Sequence, residues 1–120
     1  MSAIVTLYHN PRCSKSRETL KLLQDSGVEP AVVRYLETPP DAATITSLLD
    51  MLGFSDAREL MRRKEEVYRS LQLDNPQLSQ EFLIQAMINN PILIERPIAV
   101  AHGKARIGRP PEQVLEIINN

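Results

Sequence analysis

The chain has 120 residues, a formal net charge of −1 at pH 7, 42% hydrophobic residues and a single cysteine. That length predicts one domain, spanning 1–120, with one modest core, and the near-neutral charge gives no global electrostatic support for binding nucleic acid. One cysteine forms no internal disulfide, and no signal peptide or membrane-spanning run is visible, so a reduced cytoplasmic setting with no membrane partner is the expectation.

Ala3 to Tyr8 reads as a short apolar strand. A polar, basic stretch follows, His9-Asn10-Pro11-Arg12-Cys13-Ser14-Lys15-Ser16-Arg17, and then a helix over Ser14–Ser26 that stops at Gly27 and turns Leu20, Leu22 and Leu23 inward. The lone cysteine therefore sits where a helix begins. There it faces unpaired backbone N–H groups and the positive end of the macrodipole, which favour the nucleophilic thiolate over the thiol. The alternative is a buried cysteine acting as a small hydrophobe. Its polar, basic neighbours argue for the reactive reading.

Ala31–Leu36 is short and β-branched and reads as a second strand. Strand, helix and strand over this length make a βαβ unit with parallel strands and a right-handed crossover. Thr38-Pro39-Pro40-Asp41 opens a helix with Ile45, Leu48, Leu49 and Leu52 at helical spacing, ending at Gly53. Ser55–Leu73 looks helical but interrupted and highly charged, with Leu60, Met61 and Val67 as its core candidates. Ser79 is a good N-cap for a helix through Met87 and Ile88, with Leu78 and Leu83 placed for a hydrophobic staple. Ile98–Ala101, His102-Gly103 and Lys104–Ile107 read as a tight hairpin, and Pro111–Ile118 as a last helix.

This order is that of an α/β thioredoxin-like fold: a central mixed sheet of about four strands, with a helical insertion over about 41–90 between a βαβ half and a ββα half. In such a fold the proline before the third strand is usually cis and lies against the active-site turn. Pro97 is the candidate, and the competing reading is that it only starts an edge strand.

The chain resembles the glutaredoxin-linked arsenate reductases of bacteria over nearly its whole length. The resemblance rests on Tyr8-His9-Asn10-Pro11 before Cys13, Ser16-Arg17 after it, and Tyr35-Leu36-Glu37 with Pro39-Pro40. It continues in Leu60-Met61-Arg62, Pro91-Ile92-Leu93-Ile94, Arg96-Pro97-Ile98 and Arg109-Pro110. It implies Cys13 as the nucleophile, Arg62, Arg96 and Arg109 as the arginines of an oxyanion pocket, and His9 as an electrostatic aid to the thiolate. Ser14, Lys15, Ser16 and Arg17, on the first turn of the helix, join the expected substrate-binding set. Arginine forks and a helix N-terminus suit a tetrahedral arsenate anion. The chain departs from the best-known members in Arg12 and in Ser14-Lys15, where they carry small or neutral residues, and in lacking their C-terminal extension.

The resemblance implies arsenate reductase activity. Reducing As(V) to As(III) takes two electrons from two thiols, and the residue three beyond Cys13 is Ser16. A second thiol from outside is therefore required. Glutathione is the co-substrate expected, with glutaredoxin clearing the mixed disulfide. No bound cofactor and no metal are expected, because His9, His102 and one cysteine do not make a metal site at these spacings. Two alternatives remain: a glutathione-dependent thiol or mixed-disulfide reductase, and an RNA polymerase-binding regulator of the Spx type, which shares the Arg-Pro-Ile segment. With no second cysteine to form a disulfide switch, the regulator is the weaker of the two.

Overall fold

The structure, a computed structural model, describes residues 4–118, so the Ala3 end of the expected first strand lies outside the described residues. Contacts divide the chain into two compact units: one runs up to Thr38 and resumes at Arg96, and the other is Pro39–Glu95.

The first unit is built on a four-stranded mixed sheet of order β2-β1-β3-β4. β1 (Thr6–Tyr8) pairs in parallel with β2 (Ala31–Val33) and antiparallel with β3 (Ile98–Ala101), which pairs antiparallel with β4 (Lys104–Ile107). Register places Leu7 opposite Val32 on one side and Ala99 on the other. β3 and β4 are joined by His102 and Gly103, whose φ values of 55° and 73° suit a two-residue hairpin that follows the sheet twist. Val5, Leu7, Ala99 and Ala101 pack with Leu23, Val114 and Ile117 into the core of this unit.

α1 (Ser14–Asp25) ends at Ser26, followed by Gly27 with φ of 85°. Its buried residues are Ser16, Thr19 and Leu23; Leu20 is half-buried against the core, and Leu22 is only partly covered. Two small polar residues thus take the places that leucine spacing suggested. Thr19 is inward because the chain near Gly108 passes too close for a larger side chain. A Cβ built on Gly108 would lie 2.6 Å from Thr19 Oγ1 and 2.9 Å from Pro97 Cγ. β2 is also shorter than its apolar run. Glu37 and Thr38 N–H both donate to the Arg34 carbonyl, at 3.0 and 2.9 Å, so the chain turns after Val33 while Tyr35 stays buried. The last segment is a 3-10 turn, Pro111–Val114, running into a short helix α5 (Leu115–Ile118).

The second unit is helical. α2 (Ala42–Leu52) is capped by Asp41, whose carboxylate accepts the Thr44 N–H, and it ends at Gly53 with φ of 77°. Ile45, Leu48 and Leu49 are its buried face. The charged stretch after it forms a 3-10 turn, Ala57–Leu60, and one short helix, α3 (Glu66–Ser70). Leu60 and Met61 are buried and Val67 is partly covered, joined by Ala57, Tyr68 and Leu73. α4 (Gln80–Asn89) has Ser79 as N-cap, accepting the Phe82 N–H, and packs Leu83, Ala86 and Met87 inward. The unit closes on itself where Arg62 N–H donates to the Leu93 carbonyl and Glu95 N–H to that of Leu60, at 2.7 and 2.8 Å.

Candidate active site

Cys13 is the N-cap of α1. Its backbone is extended, its carbonyl accepts the Arg17 N–H at 3.0 Å, and its own N–H closes a turn onto the Asn10 carbonyl at 3.0 Å. The side chain is 8% exposed. The side chain accepts no hydrogen bond from the first-turn N–H groups, and the residue stands at the positive end of the helix.

Arg109 supplies a full charge. Its Nη2 lies 3.8 Å from Cys13 Sγ, and its Nε donates to the Arg96 carbonyl at 2.9 Å. The guanidinium is thus held at one end by backbone and faces the sulfur with the other, an orientation that a planar fork keeps better than an ammonium could. Both arginines precede cis peptide bonds, Arg96–Pro97 and Arg109–Pro110, the second of which nothing in the sequence singled out. Pro97 is buried, and its carbonyl accepts the Gly108 N–H at 2.9 Å. The start of β3 and the end of β4 therefore deliver Arg96 and Arg109 at the same end of the sheet. Nε and Nη1 of the Arg96 side chain are buried.

His9 and Ser16 form the inner face of the loop. His9 Nδ1 lies 2.7 Å from Ser16 Oγ, which also accepts the Asn10 N–H at 3.0 Å; Ser16 is fully buried and His9 5% exposed. Burial first, then the charges of Arg34 and Arg17, push the His9 pKa below its ordinary 6.5. The ring braces the loop through Ser16. Ser16 is likewise committed to the loop and presents no hydroxyl to a substrate.

The remaining loop residues are outward. Ser14 is exposed on the first turn. Lys15 pairs with Glu18 at 3.5 Å, and Arg17 Nη1 donates to the Pro11 carbonyl at 3.0 Å. Arg62 belongs to the second unit, where its guanidinium pairs with the Glu65 carboxylate. Sequence reasoning missed Gly108 and Thr19, whose close approach sets the path of the chain into Arg109. Among the described residues no group of His, Cys, Asp and Glu is arranged to hold a metal ion, and no helix is long and apolar enough to cross a membrane.

The sequence model of the ArsC family matches residues 8–117. The chain is 50% identical over 114 residues to the arsenate reductase of Haemophilus influenzae, covering 95% of this chain and 98% of that one. It is 67% identical over 118 residues to the uncharacterized protein YfgD of Escherichia coli, covering 98% and 99%. The solved structure of an arsenate reductase from Vibrio cholerae superposes with a TM-score of 0.95 at 53% identity, covering 98% of this chain and 99% of that one. The sheet order, the cysteine capping α1 and these similarities agree: the chain belongs to the ArsC family, with a thioredoxin-like fold.

Proposed function

We propose that this chain reduces arsenate to arsenite, with Cys13 as nucleophile and glutathione and glutaredoxin as the external source of thiols. The observation that carries the reading is the Arg109 guanidinium, fixed on the Arg96 carbonyl and 3.8 Å from Cys13 Sγ at the head of α1. A guanidinium beside a nucleophilic sulfur suits a tetrahedral oxyanion.

The Cys13 thiolate attacks arsenic, forming an S–As bond while one arsenate oxygen leaves as water after protonation. A glutathione thiolate then attacks the Cys13 sulfur. The S–S bond forms, the S–As bond breaks, and its electron pair stays on arsenic, taking As(V) to As(III). Arsenite leaves, and Cys13 is left as a mixed disulfide with glutathione. A further thiol, delivered through glutaredoxin, attacks that disulfide and returns the thiolate. Arg109 and Arg96 contribute charge against the substrate oxygens. Arg62, a third pocket arginine implied by the family resemblance, is paired with the Glu65 carboxylate within the second unit.

The test is arsenite release from arsenate by the purified chain with glutathione and glutaredoxin, compared with Cys13→Ser. The serine variant is expected to release none. A wild-type chain that releases no arsenite overturns the proposal. The Arg62–Glu65 pair then favours the mixed-disulfide reductase, whose substrate needs fewer free arginines, and cleavage of a glutathionylated peptide would identify it.

A further inference from the structure

The residues that lead into Cys13 line a second feature, a cavity of about 330 Å³ that the oxyanion chemistry does not use. Asn10, Pro11 and Arg12 contribute to it from the loop, and Arg34, Leu36 and Glu37 from the turn after β2. The two segments are tied together, since His9 N–H donates to the Val33 carbonyl at 2.8 Å. The turn itself holds Arg34 beside Glu37: Glu37 N–H reaches the Arg34 carbonyl at 3.0 Å, and Arg34 Nη1 lies 3.5 Å from Glu37 Oε2. Those side chains are 60% and 66% exposed, so their mutual pairing is weak and easily traded for ligand groups. Leu36, 37% exposed, offers an apolar contact in the same cavity.

We propose that this cavity is the docking subsite for the tripeptide thiol that attacks Cys13, with Arg12 and Arg34 taking its two carboxylates and Glu37 its ammonium group. The proposal rests on the reductase reading above and names where its thiol co-substrate binds. Charge is the first argument. Glutathione carries two carboxylates and one ammonium, and the cavity presents two guanidinium groups and one carboxylate. Size is the second, for the cavity falls at the lower end of the range of about 300–1,000 Å³ that holds small molecules. Position is the third. The cavity is lined by His9, Asn10, Pro11 and Arg12, the residues that run directly into Cys13.

Binding of S-methylglutathione, which lacks the reactive thiol, is measured on the full chain by calorimetry or NMR titration. It does not depend on any reductase activity. Arg12→Ala and Arg34→Ala are each expected to weaken binding about three- to tenfold, the reach of partly exposed charge-assisted contacts, while Lys104→Ala, which removes an exposed charge in the β3–β4 hairpin, changes nothing. In turnover, the ratio of the rate with glutathione to that with 2-mercaptoethanol, which has no carboxylates, should fall by a similar factor in both arginine variants. No binding to the wild-type chain, or weakening equal to that in Lys104→Ala, overturns the subsite. Failure of arsenite release with either thiol overturns the reductase reading alone, because the binding result stands apart from it.

Discussion

Gly108→Ala tests whether the approach of α1 to the β4 end positions Arg109. The added Cβ meets Thr19 Oγ1 at 2.6 Å, Pro97 Cγ at 2.9 Å and Thr19 Cγ2 at 3.2 Å. None of these gives way easily. Thr19 is fully buried, and its hydroxyl donates to the Lys15 carbonyl at 2.8 Å, while Pro97 is a buried ring whose carbonyl holds Gly108 N–H. Gly108 does not have a left-handed φ, so the effect is steric alone. Overpacking of this kind costs about 1–3 kcal/mol. At this chain length that corresponds to a fall in Tm on the order of 3–15 °C. The segment shifts away from α1 and carries with it Arg109, the next residue, so arsenite release should fall by at least about tenfold, as for loss of one charge-assisted contact. Urea unfolding gives the stability and the arsenate assay the activity. Thr19→Ala removes two of the three close atoms, so the double variant Gly108→Ala/Thr19→Ala should lose less stability than the two single losses added together. A Gly108→Ala chain with wild-type midpoint and turnover, or a cycle with no coupling, would refute the reasoning.

Arg109→Ala should lower kcat/KM for arsenate on the order of tenfold to a hundredfold, whereas Arg106→Ala, whose guanidinium pairs with Glu116 at 2.9 Å, should stay within about twofold of wild type in the same assay. Sulfate and phosphate should compete with arsenate, and the competition should weaken in Arg109→Ala. His9, with its pKa lowered in the folded chain, makes the unfolded state the stronger proton binder as pH falls below 6.5; stability should therefore be full above that pH and decline below it, and His9→Gln should remove that part of the slope in urea unfolding across the range. Asp56, lowered from 3.8 chiefly by the Arg58 N–H, should stabilise the chain above that pH and lose its contribution as pH falls through the lowered value, so the stability gap to Asp56→Asn should close in acid.

What the sequence makes legible is local. An apolar run, a polar turn and a leucine repeat place Cys13 at the head of α1; Asp41 and Ser79 announce their helices as caps; and His102-Gly103 between two apolar runs announces the hairpin. Where the reading drifts, a non-local contact decides. Arg34-Tyr35-Leu36 continues an apolar run, yet the strand stops at Val33, because burial of Tyr35 looks the same in a turn as in a strand. Ser16 and Thr19 face inward on α1 because the His9 loop and Gly108 press against them, and no periodicity along the helix encodes that pressure.

The candidate site shows the same division. Cys13 could be named from its place in the chain, and the resemblance supplied Arg96 and Arg109. Neither source says that the two arginines act as one unit, with a backbone oxygen of the first orienting the guanidinium of the second toward the sulfur. Replacing the Arg96 side chain leaves that carbonyl in place. Arg96→Ala should therefore keep Arg109 oriented and lose only the charge of its own fork, while Gly108→Ala should leave the Arg96 side chain intact and lose the aim of Arg109. Comparable losses of turnover would then have distinct signatures. Iodoacetamide alkylation of Cys13 at pH 7 should slow in Gly108→Ala, where the cation leaves the sulfur, more than in Arg96→Ala, where it stays. Equal slowing in both would mean that the carbonyl contact does not set the aim of Arg109.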